Sequence, residues 1–154
     1  MIVEATAEDI DDLFPLWLEL MQYHQTHHKV FKCKPNHEHA LRAELLNRIR
    51  RKDTQVFVYE QEEEWVGMII CTIRQGAPGF ELNCKGYIAE TVVKSTNRRQ
   101  GIGKLLFEAA RKWLQDRGAD HLELQVSVKN PAGIGFWQSL GFTPATQHLV
   151  LPLQ

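Results

Sequence analysis

A short segment with two glycines and three basic side chains has the composition of an anion-binding site. It precedes an apolar pattern typical of a helix and reads Arg98-Arg99-Gln100-Gly101-Ile102-Gly103-Lys104. The first backbone N–H groups of a helix have no partner within it, and the helix dipole adds about half a positive charge there. Glycines at this point let a pyrophosphate approach, although glycines in such turns more often only relieve steric crowding. The segment alone is therefore weak evidence for phosphate binding.

The two best-known phosphate-binding loops do not fit this segment. A dinucleotide-binding loop needs a third small residue where Leu106 stands. A nucleotide triphosphate loop needs Ser or Thr where Leu105 stands. The segment therefore has to be interpreted together with a second motif.

That second motif lies downstream and reads Asn130-Pro131-Ala132-Gly133-Ile134-Gly135-Phe136-Trp137-Gln138-Ser139-Leu140-Gly141-Phe142. Together the two segments resemble the cofactor motifs of the GNAT superfamily of N-acetyltransferases. The first matches the family pattern of Arg or Gln, two residues, Gly, one residue, and Gly or Ala. The second is similar to the family's signature of Asn, a short helix, an aromatic residue and Gly-Phe. The N-terminal half resembles the family only in the order of its elements.

The resemblance implies acetyl-CoA as cosubstrate. It places the pantetheine arm between two splayed strands, residues 87–93 and 121–127, with backbone groups of the first strand pairing to the arm. The residues expected to bind the cofactor are Val92, Val93, Arg98, Arg99, Gln100, Gly101, Ile102, Gly103, Lys104 and Asn130.

The reaction that the resemblance implies is acetyl transfer to a primary amine, which attacks the thioester directly. A lysine-like amine with a pKa of about 10.4 is uncharged in only roughly one molecule in 2,500 at pH 7, so a base has to take its proton. We expect Glu90, on the strand before the first motif, to be that base, directly or through a water. An exposed carboxylate alternating outward from a half-buried strand explains Glu90 equally well. A backbone N–H near Val92 is expected to stabilise the oxyanion.

The sequence departs from the family at Trp137. The family often has a tyrosine there, which protonates the leaving thiolate, whereas an indole cannot give up its proton. The indole N–H can still donate a hydrogen bond, and a thiol pKa near 8.5 makes the thiolate a tolerable leaving group. Ser139 and Tyr87 are alternative donors. The departure also leaves open a second function, an acyl-CoA-binding sensor or scaffold without turnover.

Hydrophobic periodicity predicts the elements that must position these residues. Their order is β, α, α, β, β, β, α, β, α, β, which indicates an α/β fold with a mixed, mostly antiparallel sheet flanked by helices, in one domain over residues 1–154. The predicted strands are residues 1–5, 54–60, 65–74, 85–93, 121–128 and 148–153. Helices are expected after Thr6, near Leu41, from Ile102 and from Ala132, and Pro15 should kink or restart the first one.

Composition narrows the class of protein further. Of the 154 residues 44% are hydrophobic, and the net charge of −1 provides no field to attract nucleic acid or an anionic membrane. Three cysteines without CxxC spacing, an acidic N-terminus and the lack of a long apolar run predict a soluble, cytoplasmic protein.

The remaining expectations concern metals and partners. Five histidines lack a metal-ligand pattern, so we expect no metal and a solvated or substrate-rim role for His24, His27, His28, His37 and His39. Amines of small molecules and of proteins both remain open as acceptors, and a homodimer is expected by analogy with the family.

Overall fold

The computed structural model describes residues 1–153, which form one mixed sheet with helices on both faces. The strands are β1 (Ile2–Ala5), β2 (Thr54–Gln61), β3 (Glu64–Gln75), β4 (Cys84–Val93) and β5 (His121–Leu124). The α-helices are α1 (Ile10–His24), α2 (Glu38–Ile49), α3 (Ile102–Asp116) and α4 (Pro131–Ser139). The strands lie in sequence order; β1 to β4 pair antiparallel, and β5 pairs parallel with β4. The predicted fold class is confirmed.

Two hydrophobic cores lie on opposite faces of the sheet, because successive side chains of a strand point to opposite sides. On β3, Met68 and Ile70 pack into the core beneath α1 and α2, whereas Ile69 packs into the core beneath α3 and α4. These three side chains are fully buried. The continuous apolar run of β3 is thus explained by a strand that is covered on both faces.

The first helix begins after Thr6, as predicted, at a capping box formed by Thr6 and Asp9. The Asp9 carboxylate accepts the Thr6 backbone N–H at 2.8 Å, and the Thr6 hydroxyl accepts the Glu8 backbone N–H at 3.3 Å. A short 3-10 turn, Ala7–Asp9, leads into α1. The helix continues through the exposed Pro15 without a restart, contrary to that part of the expectation. Its packing through the buried Trp17 and its neighbours outweighs the one backbone bond that Pro15 removes.

Helix α3 is the strongest amphipathic element, as its periodicity predicted. Its buried stripe packs on β3 and β4 and consists of Ile102, Leu106, Phe107, Ala110, Trp113 and Leu114. Gly67 on β3 allows this close approach, since a Cβ there would lie 3.1 Å from Leu106 Cδ1 and 3.3 Å from the Val92 carbonyl oxygen. No helix in the described part of the chain is both long and apolar enough to cross a membrane.

Two predictions near the C-terminus are wrong. β5 ends at Leu124 instead of Val128, because its pairing with β4 stops at Ile88, where β4 bulges. The strand predicted for residues 148–153 is not formed. Within the described chain, residues 143–153 make no backbone hydrogen bond, and a strand requires a neighbouring strand.

Candidate active site

The start of α3 presents free backbone donors. Gly101 precedes the helix with a φ of 79°, a left-handed conformation that favours glycine. The first helical bond runs from the Leu105 N–H to the Gly101 carbonyl at 3.2 Å, so the N–H groups of Ile102, Gly103 and Lys104 have no partner among residues 1–153. A Cβ at Gly101 would meet no atom within 4 Å, which leaves space for a ligand in front of these donors.

The loop before α3 is held by side chains of the β2–β3 hairpin. The Asn97 amide donates to Gln61 Oε1 at 3.1 Å, and the Gln61 amide donates to Gln100 Oε1 at 3.4 Å. Gln61 was missed by sequence reasoning because it lies at the end of β2, 39 residues from Gln100. The Arg98 Nε–H donates to the Val93 carbonyl at 3.2 Å. Arg98 therefore braces the loop, while the exposed Arg99 and Lys104 leave their charges at the helix start.

Strands β4 and β5 separate beside this loop. They pair only from Lys85 opposite His121 to Ile88 opposite Leu124, and β4 then continues to Val93 bonded to β3 alone. Along residues 89–93 the other edge of β4 receives a single hydrogen bond in the described structure, the one from Arg98 to Val93. The predicted splay is therefore present; the backbone groups of Val93 face its free edge, whereas those of Val92 face β3.

Asn130 lies at the start of α4 and links two helices. Its Oδ1 atom accepts the Gly133 backbone N–H at 3.0 Å and the Tyr23 hydroxyl, from the end of α1, at 3.4 Å. Gly133 is required here, because a Cβ would lie 2.4 Å from Asn130 Nδ2. The motif residue thus caps α4, and Tyr23 is a contact that the sequence did not indicate.

A β-bulge decides which way Glu90 points. In the β3–β4 ladder Ile70 pairs with Glu90 but Cys71 pairs with Ile88, so Ala89 is an extra residue. Ile88 packs into the core beneath α3, whereas Glu90 shares the face of its cross-strand partner Ile70, towards α1 and α2. Without the extra residue Glu90 would share the face of Ile88. The bulge lies three residues before Val92, within the strand that the family resemblance led us to expect to splay.

Glu90 is not the exposed carboxylate that was the alternative interpretation. Its side chain is 13% exposed, and its Oε1 atom accepts a hydrogen bond from Arg48 Nη1 on α2 at 3.1 Å. Burial raises the pKa of Glu90 above its usual range, and Arg48 opposes this shift. The indole N–H of the buried Trp17 acts in the same direction as Arg48 and lowers the pKa of Glu90. It forms no hydrogen bond of normal geometry within residues 1–153. A carboxylate with a raised pKa suits a general base near neutral pH.

Trp137 lies in an aromatic cluster between α3 and α4. Its ring makes edge-to-face contacts with Phe107, Phe136 and Phe142 at centroid distances of 5.9, 4.8 and 5.6 Å. The residue is 9% exposed, and its indole N–H makes no hydrogen bond inside the described range. The ring is therefore held rigidly, and its N–H remains available to a ligand.

The alternative donors are engaged differently. The Ser139 hydroxyl donates to the Phe136 carbonyl at 2.6 Å, so it is occupied within α4. Tyr87 lies on β4 with the Arg74 guanidinium 4.7 Å from its ring centroid, and burial raises the pKa of its hydroxyl.

The histidines and cysteines have mainly structural surroundings. His27 is buried, contrary to the expected solvated role, and contacts the Tyr23 ring edge-to-face at 4.5 Å. Burial lowers the pKa of His24, and His27 lowers it further. Cys71 is buried, and this burial raises the pKa of its thiol to about 12. No group of three potential metal ligands occurs among the residues described.

A sheet that splays beside an uncapped helix start is the arrangement that the family resemblance predicted. The chain belongs to the acetyltransferase (GNAT) family, whose profile matches residues 14–142. The match confirms the class that the two motifs predicted.

Individual relatives agree with this class. N-alpha-acetyltransferase 30 of Schizosaccharomyces pombe is 31% identical over 88 residues, which are 56% of this chain and 55% of that protein. The match to the Saccharomyces cerevisiae protein of the same name covers 42% of that protein. The chain therefore spans about half the length of these relatives.

Solved structures match over nearly their whole length. A single-residue mutant of the BH1408 protein from Bacillus halodurans has 25% identity and a TM-score of 0.86, covering 100% of this chain and 99% of that chain. Aminoglycoside N-acetyltransferase AAC(6')-Iy in complex with CoA has 16% identity and a TM-score of 0.78, covering 100% and 94%. The second likeness shows a shared fold.

Proposed function

We propose that this protein is an acetyl-CoA-dependent N-acetyltransferase that moves an acetyl group to a primary amine. The observation that carries the proposal is the set of free N–H groups at Ile102, Gly103 and Lys104, which open beside the separated strands β4 and β5. Such donors, with the helix dipole behind them, suit a pyrophosphate. The free edge of β4 suits the amide groups of a pantetheine arm.

The residues present fit acetyl-CoA. Arg99, Lys104 and the backbone of Gln100 to Gly103 would hold the pyrophosphate, with Arg98 bracing the loop. The backbone groups of Val93, next to Val92, would pair with the pantetheine arm, and Asn130 would contact it from the start of α4. The bound cosubstrate supplies an activated acetyl thioester.

The chain's own groups would handle the proton and the developing charge. Glu90 accepts the proton of the acceptor ammonium, directly or through a water, which frees the nitrogen lone pair for attack on the carbonyl carbon. A backbone N–H near Val92, on the free edge of β4, would stabilise the oxyanion. As the carbon–sulfur bond breaks, the attacking nitrogen passes its second proton to the departing sulfur, directly or through water, and the Trp137 indole N–H would donate a hydrogen bond to the developing thiolate.

The acceptor is an amine of a small molecule or a protein. The similar proteins include both kinds, an N-alpha-acetyltransferase and an aminoglycoside N-acetyltransferase. Glu90 and Arg48 provide one negative and one positive group on the α2 side of the sheet, which suits an acceptor with an ammonium beside a polar group.

We further propose a single domain over residues 1–154, a cytoplasmic location and a homodimer. The free thiols of Cys33, Cys71 and Cys84 support a reducing compartment. The composition, with its net charge of −1, supports a role that does not involve nucleic acid or a membrane surface.

A second candidate is an acyl-CoA-binding sensor or scaffold without turnover. Trp137 favours this candidate, because its indole is not an ionisable acid and the family often has a tyrosine at this position. Its ring is packed against Phe136 and Phe142. Both functions require the same cofactor site and differ only in catalysis.

The experiment that separates them follows thiol release from acetyl-CoA with a panel of amines, with each product identified by mass. The panel contains a diamine, an aminoglycoside, a lysine peptide and a peptide with a free α-amino group. An N-acetyltransferase releases CoA only with an accepted amine and adds an acetyl group to it in place of a hydrogen. If the protein binds CoA but thiol release with every amine is no faster than in buffer without protein, the result supports the sensor.

A further inference from the structure

Two positively charged side chains face each other across strands β3 and β4. The register pairs Arg74 directly with Lys85, and like charges in this position destabilise a sheet. Both side chains also lie against one aromatic ring, because Arg74 Cζ is 4.7 Å and Lys85 Nζ is 5.9 Å from the ring centroid of Tyr87. The pair therefore concentrates positive charge at one place on the sheet.

The two cations differ in their partners. Lys85 Nζ lies 3.6 Å from Glu123 Oε1 on β5, and the other oxygen of this carboxylate lies 2.7 Å from His121 Nε2. Arg74 is exposed and makes neither an ion pair nor a side-chain hydrogen bond among residues 1–153. Its guanidinium is thus available to an anion, and its planar set of donors matches a carboxylate.

The cation pair lies on the same face of the sheet as Glu90. Three cross-strand pairs share this face, and in order along the ladder they are Ile70 with Glu90, Thr72 with Tyr87, and Arg74 with Lys85. Neighbouring pairs are two residues of β3 apart, so the backbone of Glu90 is about 7 Å from that of Tyr87 and about 13 Å from that of Arg74. The half-buried ring of Tyr87 lies between the carboxylate and the cations.

We propose that the amine acceptor carries a carboxylate, which binds Arg74 while the amine lies beside Glu90. Arg74 then determines acceptor specificity, and a distance of roughly 7 to 13 Å between amine and carboxylate fits the site. The bound carboxylate also offsets the repulsion between Arg74 and Lys85. A polycationic acceptor such as an aminoglycoside is disfavoured, because it brings further positive charge to this pair. The inference rests on the acetyl transfer proposed above and narrows its acceptor.

Competition between matched acceptors tests the preference. One set contains the C-terminally amidated tetrapeptides Ala-Ala-X-Ala, in which X is Glu, Gln or Lys. The other set contains ε-aminocaproate and its amide. Each mixture is incubated with acetyl-CoA and the wild-type protein, and mass spectrometry of the acetylated products gives the ratio of the kcat/KM values. We expect a preference of about tenfold for the Glu peptide over the Gln peptide, or for ε-aminocaproate over its amide. The set that shows the preference distinguishes a peptide from a small-molecule acceptor.

Two variants and a control assign the preference to Arg74. Arg74→Gln should lower kcat/KM for the acceptor with a carboxylate about tenfold and leave that for its amide counterpart unchanged. Arg74→Glu should reverse the order, and its new carboxylate can pair with Lys85, which protects the fold. Arg117→Gln is the matched control and should keep the wild-type preference. The Arg117 guanidinium also lies on an aromatic ring, 3.9 Å from the centroid of Trp113, but at the end of α3.

The outcomes separate this inference from the proposed function. Equal kcat/KM for the charged and neutral members of both sets, or an Arg74→Gln variant that keeps the preference, would overturn the inference and leave acetyl transfer intact. Acetylation of the diamine or the aminoglycoside, but of no member of these sets, would do the same. A protein that binds CoA and acetylates no amine in either experiment would overturn the proposed acetyl transfer together with this inference.

Discussion

Glu90 depends on two neighbours for its position and its charge. The extra residue Ala89 turns its side chain towards α2, and Arg48 meets the carboxylate at 3.1 Å. Arg48 lowers the pKa of this carboxyl group, while burial raises it. A base acts only in its carboxylate form, so in the proposed mechanism Arg48 would keep Glu90 active at lower pH.

Replacing Arg48 with glutamine should therefore raise the pKa of Glu90 and move the acid limb of kcat/KM to higher pH. We expect the loss of kcat/KM to be roughly tenfold larger at pH 6 than at pH 8.5. Arg51→Gln is the matched control, since Arg51 lies just after α2 but pairs with Asp53. An acid limb that does not move in Arg48→Gln would show that the ion pair does not tune the base.

Trp137 packs against three aromatic rings, so substitutions can separate its packing from its proposed hydrogen bond. Trp137→Phe keeps most of the packing and removes the N–H that we propose as donor to the leaving thiolate. A hydrogen bond to a charged acceptor is worth about 1.5 to 3 kcal/mol, so we expect kcat to fall about ten- to hundredfold. Trp137→Tyr should restore equal or modestly higher kcat with a falling alkaline limb.

The measurement is kcat against pH for the wild type and the two variants at one saturating amine. Identical profiles would show that Trp137 takes no part in the mechanism and is a structural residue of the core beneath α3 and α4.

At the level of elements, the proposed cofactor site lies at the start of α3. Gly101→Val places a branched side chain in the open space before the free N–H groups and should abolish the stabilisation by CoA. In the wild type, CoA at a hundredfold excess over Kd should add about 2.7 kcal/mol, which corresponds to a Tm increase of roughly 5 to 10 °C. NAD and ATP should leave Tm unchanged.

Gly118→Val is the matched control for this experiment. Gly118 has a φ of 92° and the same open surroundings, but it lies at the opposite end of α3. Both substitutions should lower the Tm of the free protein through backbone strain, and only Gly101→Val should lose the response to CoA. A wild-type Tm that does not change at millimolar CoA would contradict the site.

At the scale of the whole molecule, local patterns predicted most of the fold. The hydrophobic periodicity of α3, the glycine before it and the helix start after Thr6 each depend on residues close together in the sequence. All three appear in the structure. The cofactor motif was recognisable for the same reason, since a helix start is a local feature. The splay between β4 and β5 followed from the family resemblance.

What the sequence did not predict depends on residues far apart in the chain. Arg48 is 42 residues from Glu90, and Tyr23 is 107 residues from Asn130. The bulge at Ala89 arises from the register between two strands, which alternation within β4 cannot indicate. The strand expected at residues 148–153 failed because a pattern specifies a strand's faces but not its partner.

The measurement that tests the account most directly is amine-dependent kcat/KM for wild type and Glu90→Gln from pH 6 to 9, with CoA affinity measured in parallel. We predict acetylation of an accepted amine by the wild type, unchanged CoA affinity in Glu90→Gln, and a fall in kcat/KM of about 10²-fold at neutral pH. Partial recovery is expected at high pH, where the amine loses its proton without a base. Glu60→Gln on β2 is the control and should behave like the wild type. Equal kcat/KM for wild type and Glu90→Gln across this range would contradict the account.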